Sequence, residues 1–221
     1  LGVSVPKRAM DAGQWYLDVV DIRDFATDRH RSVDDTPAGG GAGMVLRADV
    51  VARATDSLAP RSWPRIYVSP RGRPFDQDMA QSWAKAGGVD LLCGRFEGVD
   101  ERVLEARDFQ EISLGDFVLF GGEVAAQAMI EATLRLVPGV IGTESSVAEE
   151  SFSAGLLEYP HYTRPTSWEG REIPEILLSG HHGRIERWRL EMSESLTKER
   201  RQDLWINYVA RQAAGTKGEK R

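Results

Sequence analysis

The stretch Leu91-Leu92-Cys93-Gly94-Arg95-Phe96-Glu97-Gly98-Val99-Asp100-Glu101-Arg102-Val103 decides how this chain is read, and Ser113-Leu114-Gly115-Asp116-Phe117-Val118-Leu119-Phe120-Gly121-Gly122-Glu123 answers it. Each half reads as a short apolar strand running into a glycine-bearing loop and then a helix. That order brings backbone N–H and C=O groups to the carboxyl end of a sheet. Glycines allow conformations and close approaches that a side chain would block. A flat ligand could therefore be gripped mainly by main chain, with Glu97 nearby for polar work. The competing reading is two tight strand-to-helix turns and no ligand. Neither half is a dinucleotide fingerprint or a P-loop, because no G-x-G-x-x-G follows a strand and no G-K-[ST] follows a glycine run.

Outward from this pair, Arg65-Ile66-Tyr67-Val68-Ser69-Pro70 reads as another strand ending in a turn, and residues 75–86 as a helix with Asp76 near its start. Strand, loop and helix thus recur at Tyr67, Leu91 and Phe117. This implies an α/β domain with a mainly parallel sheet and its loops gathered on one edge, where three of them could enclose one ligand. Residues 124–136 form a further helix, stopped by Pro138-Gly139. Nearer the start, residues 1–13 read as the tail of a helix and a turn, 15–22 as a strand, and 44–57 as a helix. The charged run from Arg23 to Asp35 is too polar for a core element. Gly39-Gly40-Gly41-Ala42-Gly43 after it is either a flexible connection or a pocket wall that must approach a base or phosphate.

Small, polar and acidic residues from Gly142 to Ser151 read as a linker, and the domain boundary is placed there. Beyond it, Leu156-Leu157-Glu158-Tyr159-Pro160-His161-Tyr162-Thr163-Arg164-Pro165 carries too many aromatics for free linker and is expected to dock on a surface. Residues 174–180, 182–192 and 198–213 read as a small helical domain, with Ile185, Trp188 and Met192 forming its apolar stripe. Residues 215–221 read as a disordered tail.

With 221 residues, 41% of them hydrophobic, the chain can bury a full core. Its one cysteine, Cys93, leaves no disulfide framework or Cys-based metal site, which favours a reducing cytoplasm, and the histidines lack metal-ligand spacing. No run reaches the length of a membrane span. The net charge of −6 argues against a generally basic nucleic-acid binder, but it is uneven. Residues 155–221 carry 12 Lys and Arg against 10 Asp and Glu, and residues 1–154 carry 16 against 24, so a polyanion should meet the second part first.

A family resemblance now has its residues. Arg29-His30-Arg31-Ser32-Val33-Asp34-Asp35 with the glycine run, Tyr67-Val68-Ser69-Pro70, the Cys93 to Arg102 and Gly115 to Glu123 stretches, Pro138-Gly139-Val140 and Pro160-His161-Tyr162-Thr163-Arg164-Pro165 occur in family order over residues 19–204. Together they resemble the bacterial tRNA (guanine-N1)-methyltransferases, the TrmD family. The resemblance implies a SPOUT-class α/β domain over residues 1–141 with a mainly parallel sheet and a trefoil knot at its C-terminal end, a flexible linker over 142–155, and a small all-helical tRNA-binding domain over 156–221. It also implies a homodimer with active sites at the subunit interface, S-adenosylmethionine as methyl donor, and the guanine immediately 3′ of the tRNA anticodon as acceptor. The knot is not derivable from the residues, since connections are otherwise expected to be unknotted.

By the same resemblance, the donor would be held by Tyr67, Val68, Ser69, Pro70, Gly94, Phe96, Glu97, Leu114, Gly115, Phe117, Leu119, Gly121 and Gly122. Guanine N1 carries a proton, so its methylation needs a base, and the charge building on the neighbouring carbonyl needs a cation. The family's aspartate base falls on Glu150, with Glu149 as a rival, and its arginine on Arg135. His30, Asp34, Gly40, Arg164, Arg187 and Arg189 are the expected tRNA contacts. No motif demands a metal, although carboxylates and phosphates could gather Mg2+. There are departures. Glu150 stands for an aspartate, Phe96 and Phe117 stand where tyrosines are common, Phe120 replaces a small residue, and the family's first strand with its Phe-Pro motif is not found before Leu1. A different nucleotide-dependent enzyme of doubly wound fold and a catalytically dead RNA-binding protein are the rival readings.

Overall fold

The computed structural model describes residues 1–141, 150–152 and 154–218. The expected linker at 142–149, with Glu149 in it, together with Ser153 and the last residues 219–221 of the expected tail, lies outside the described residues. The chain divides into two compact units, Leu1–Gly142 and Thr143–Arg221.

In chain order the first unit contains α1 (Ser4–Asp11), β1 (Asp34–Asp35), β2 (Val45–Leu46), α2 (Ala48–Asp56), β3 (Arg65–Pro74), α3 (Gln77–Ala86), β4 (Asp90–Cys93), α4 (Glu101–Ala106), β5 (Gln110–Ser113) and α5 (Glu123–Leu134). Its main sheet has the order β4-β3-β5, and both pairings are parallel. Alternation along the strands sorts the side chains onto two faces. Tyr67 and Leu92 point into one core with Val50, Val51, Val103 and Leu104 from α2 and α4. Ile66, Val68 and Ile112 point into another with Met79, Trp83, Ala126 and Met129 from α3 and α5. Helices thus pack on both faces of the parallel strands, as such sheets require. The α/β class with a parallel sheet is therefore what the chain adopts.

Several local expectations differ from the structure. Residues 15–21 form no ladder, because an extended segment becomes a strand only when a neighbour takes its backbone hydrogen bonds. Among the described residues no strand pairs with them; Trp15 Nε1 donates to Pro6 O at 2.8 Å, Asp18 meets Arg61 at 3.7 Å and Val19 faces solvent. Ile22 opens a 3₁₀ turn, Ile22–Phe25, in which Asp21 accepts from the Arg23 amide. The helix expected over 44–57 starts only at Ala48. Val45 and Leu46 before it are pulled into pairing with Asp35 and Asp34. The third strand of the main sheet is Gln110–Ser113, and Phe117 lies in the loop after it. Asp76 does cap α3, its carboxylate accepting from Met79 N–H at 2.8 Å.

The second unit holds a hairpin, β6 (Ser167–Trp168) with β7 (Arg171–Glu172), in addition to the helices α6 (Glu175–Leu178), α7 (His182–Arg200) and α8 (Gln202–Gly218). α7 runs on to Arg200, and α8 extends into the stretch expected to be a tail. The aromatic segment docks on α7: Leu157 N–H donates to Thr197 Oγ1 at 2.8 Å, and Arg189 stacks over the Tyr159 ring at 4.7 Å. Tyr162 and Trp188 bring their rings within 6.3 Å. Trp188, Ile185 and Met192 are half-buried, while the positions of α7 closed to solvent are Ser193 and Thr197.

Candidate donor-binding cavity

The carboxyl ends of β3 and β4 and the loop after β5 enclose a cavity of about 330 Å³. All three strand-end loops reach it. Its lining includes Tyr67, Val68, Ser69 and Pro70 from the first, Gly94, Phe96 and Glu97 from the second, and Leu114, Gly115, Phe117, Leu119, Gly121 and Gly122 from the third. The structure thus brings together every residue expected to hold the donor.

Main chain shapes the wall. Gly94 and Gly98 both lie against the Tyr67 phenol: a Cβ would come 2.9 Å from Cε2 at the first and 2.7 Å from the hydroxyl at the second. Burial pushes that phenol above its ordinary pKa, so it stays a neutral floor to the cavity. Gly122 caps α5, and a Cβ there would come 3.0 Å from Cys93 Cα and 3.3 Å from Val68 Cβ, so the helix start can sit directly on the strand ends. Gly122 N–H donates to Gly94 O at 3.0 Å, and Arg95 bridges to Glu123 at 2.9 Å. These contacts pin the third loop to the second. Ser113 Oγ donates to Gly115 O at 3.0 Å, and Phe117 N–H donates to the same carbonyl at 2.9 Å, folding the third loop back on itself. Phe96 holds a left-handed φ of 54°, a conformation costly for a bulky residue. Such strain persists only where the surroundings enforce it, and it clusters at functional sites.

Sequence reasoning did not single out Arg71 or Gly72, although both shape the first loop. Between Val68 and Arg73 the register of β3 against β5 slips, so the chain bulges at residues 69–72. Gly72 crosses β5 so closely that a Cβ would lie 2.4 Å from Ile112 N. Arg71 fastens the bulge with hydrogen bonds at 3.0 Å to both Glu101 and Glu111. The signal was in the sequence as a glycine directly after Ser-Pro-Arg, but only the pairing shows what it approaches. Cys93, behind the cavity, has its thiol pushed up to about 11 by burial and by the Glu123 carboxylate, which leaves it protonated and unreactive at neutral pH.

A wider depression of about 860 Å³ opens beside residues 35–38, 45–49 and 99–102. Its cations already face carboxylates, Arg47 those of Asp49 and Asp28 and Arg102 that of Asp100. Although it is the larger space, it lacks the converging glycine loops.

The expected tRNA-side residues lie in both units. His30 is exposed in a turn organised by Asp28, whose carboxylate accepts from the His30 and Ser32 amides at 3.0 and 3.2 Å. The Ser32 amide is also the main cause that holds Asp28 below the usual carboxylate range. Asp34 is half-buried in β1, and Gly40, at φ +84°, is open to solvent. Arg164 and Arg187 are exposed in the second unit, where Arg189 lies over Tyr159. Of the catalytic pair, Arg135 is the exposed C-cap of α5 in the first unit and Glu150 is half-buried in the second. Among the described residues no group of three or more His, Cys, Asp and Glu is arranged to hold a metal ion. Nor is any described helix long and apolar enough to cross a membrane.

Fold and cavity together define an α/β protein with a cavity at the carboxyl ends of parallel strands. The model of the tRNA (guanine-1)-methyltransferase TrmD family matches residues 1–207. A tRNA (guanine-N(1)-)-methyltransferase of Cereibacter sphaeroides is 61% identical over 95% of this chain and 87% of its own length. One of Ruegeria sp. is 59% identical over 96% and 88%, and one of Rhizobium etli 61% identical over 93% and 88%. The chain belongs to the TrmD family of tRNA (guanine-1)-methyltransferases.

Proposed function

We propose that this chain transfers a methyl group from S-adenosylmethionine to N1 of the guanine immediately 3′ of the anticodon in tRNA, and so protects the reading frame. The observation that carries the reading is the cavity of about 330 Å³ lined by all three strand-end loops. Its walls suit the donor: bare backbone at Gly94, Gly115, Gly121 and Gly122 for a flat base, apolar Phe117 and Leu119, and the Glu97 carboxylate for polar or cationic groups. S-adenosylmethionine supplies an electrophilic methyl on a sulfonium and departs as a neutral thioether. Glu150 accepts the guanine N1 proton, which frees the nitrogen lone pair for the methyl, and Arg135 offsets the negative charge that builds on the guanine carbonyl oxygen. The exposed cations Arg164 and Arg187, with Arg189, position tRNA phosphates, while His30, Asp34 and Gly40 face the base. No step is assigned to Mg2+.

The same reading includes the homodimer and the knot. Support for the dimer is the apolar rim of the cavity, where Phe96, Val118 and Phe120 are 66, 85 and 99% exposed, a surface that water alone leaves unfavourably solvated. Support for the knot is the path of residues 114–122. They leave β5 at one edge of the sheet, cross the end of β3 and bond to Gly94 beyond β4 at the other edge. Residues 1–141 then form the methyltransferase domain and 156–221 the tRNA-binding one, joined by a linker, in a cytoplasmic protein.

The test is methyl transfer from labelled S-adenosylmethionine to tRNA transcripts carrying guanine or adenine 3′ of the anticodon. Guanine-dependent labelling is expected, and Glu150→Gln should reduce it by about 10²-fold or more with donor affinity unchanged. Donor binding without labelling of either transcript would favour the RNA-binding reading.

A further inference from the structure

One wall of the cavity is joined to the segment that carries His30, Asp34 and the glycine run. Residues 44–46 lie beside residues 97–100: Glu97 N–H donates to Met44 O at 3.0 Å, Leu46 N–H to Gly98 O at 2.9 Å, and Asp100 N–H to Leu46 O at 3.0 Å. On the other side β2 pairs with β1, and Arg47 N–H donates to Val33 O at 2.9 Å. Three backbone segments are thus laced together, and the acceptor-side stretch cannot move independently of the loop that bears Glu97.

Gly43 stands at the junction. Its φ is +85°, and a Cβ there would lie 2.4 Å from Glu97 Oε1, 2.5 Å from Cγ and 2.8 Å from Cδ. Its neighbours differ. Gly39, Gly40 and Gly41 also have positive φ, of +90°, +84° and +124°, but a Cβ on any of them would meet nothing within 4 Å. Those three need glycine only for backbone freedom, whereas Gly43 needs it also for the space that Glu97 fills. A methyl at 43 would force the whole Glu97 side chain aside. That swing costs little stability, because Glu97 is exposed, but it removes from the cavity wall the one carboxylate among the described residues that line it.

We propose that Gly43 is a positioning residue: its bare Cα fixes where the Glu97 carboxylate stands, and so sets the affinity of the cavity for a ligand bearing an ammonium or hydroxyl groups. The inference rests on reading this cavity as the methyl-donor site. Titration calorimetry with S-adenosylhomocysteine tests it on the full chain, its Gly43→Ala and Glu97→Ala variants and their double variant. Gly43→Ala should raise Kd about tenfold, the scale of one charge-assisted hydrogen bond. Its thermal midpoint should fall no further than that of Gly13→Ala, where φ is +72° and the space is open. The double variant should bind as weakly as Glu97→Ala alone, since Gly43 acts through a side chain no longer there. If Gly43→Ala does not fold, the double variant against Glu97→Ala still decides, because truncating Glu97 makes room for the methyl. Wild-type affinity in Gly43→Ala, or a further loss in the double variant, would overturn the inference alone. Absence of binding by the unaltered chain would overturn the donor reading and the inference with it.

Discussion

In the first unit the cavity is shaped by backbone against backbone and by glycines pressed on buried side chains: Gly94 and Gly98 on Tyr67, Gly122 on Cys93, Gly72 on β5. In the second unit the surface of α7 is shaped by long side chains laid on one another, Arg189 over Tyr159 and Tyr162 near Trp188, above a helix whose closed positions are the hydroxyl residues Ser193 and Thr197. On the function proposed above, the difference follows from what each surface would have to do. A small ligand and a transferable methyl need placement to a fraction of an ångström, which close-packed strands provide. A phosphate backbone needs charge at roughly the right place, which stacked arginines on a helix provide. The first construction fails abruptly when a single atom is added, and the second should degrade by degrees.

That contrast can be broken by substitution. Gly72→Ala should have the largest effect, because its Cβ would meet Ile112 main chain, which cannot rotate aside. Overpacking of this kind costs about 3 kcal/mol, to be read from urea unfolding, and donor binding should weaken with it as the bulge at 69–72 is displaced. If Gly72→Ala were as stable as the parent, the backbone-built wall would be wrong. Arg189→Ala should be milder, losing about 1 kcal/mol of stacking on Tyr159. Filter binding should show weaker tRNA retention and calorimetry an unchanged donor affinity; a change in donor affinity would mean the two surfaces are not separable in this way.

The smallest expected effect is one of pH. Cys93 has its folded pKa raised to about 11 from the 9.0 of a free thiol, so the native state favours the protonated form. Its contribution is complete below about pH 9 and is lost as pH rises through 11. Thermal midpoints of Cys93→Ala should therefore fall less steeply across that interval than those of the parent. Equal slopes would place Cys93 in contact with solvent and loosen the packing of Gly122 on the strand end.

Much of this arrangement is legible in the residues, and what is not has physical causes. β3 and β4 are legible because Ile66-Tyr67-Val68 and Leu91-Leu92 pack into cores on both faces of the sheet and read as apolar runs. β5 is not, because Gln110-Glu111-Ile112-Ser113 offers a single apolar residue and its one acidic residue is met by Arg71, a partner distant in sequence. Residues 15–21 look like a strand because their side chains suit one, but a strand also needs a neighbour. The gathering of three loops follows from repeated strand-loop-helix order, whereas Gly43 and Gly72 look like ordinary turn glycines until the segment facing each is known. Glu150 and Arg135 came only from the resemblance, since neither burial nor spacing marks them out.

Amide hydrogen exchange with and without S-adenosylhomocysteine tests the central claim most directly. The ligand should slow exchange at residues 67–72, 94–100 and 114–123, and also at 44–46 through their shared hydrogen bonds, while leaving 175–214 unchanged. Protection confined to the second unit, or spread evenly over both, would contradict a donor site built by the strand ends of the first.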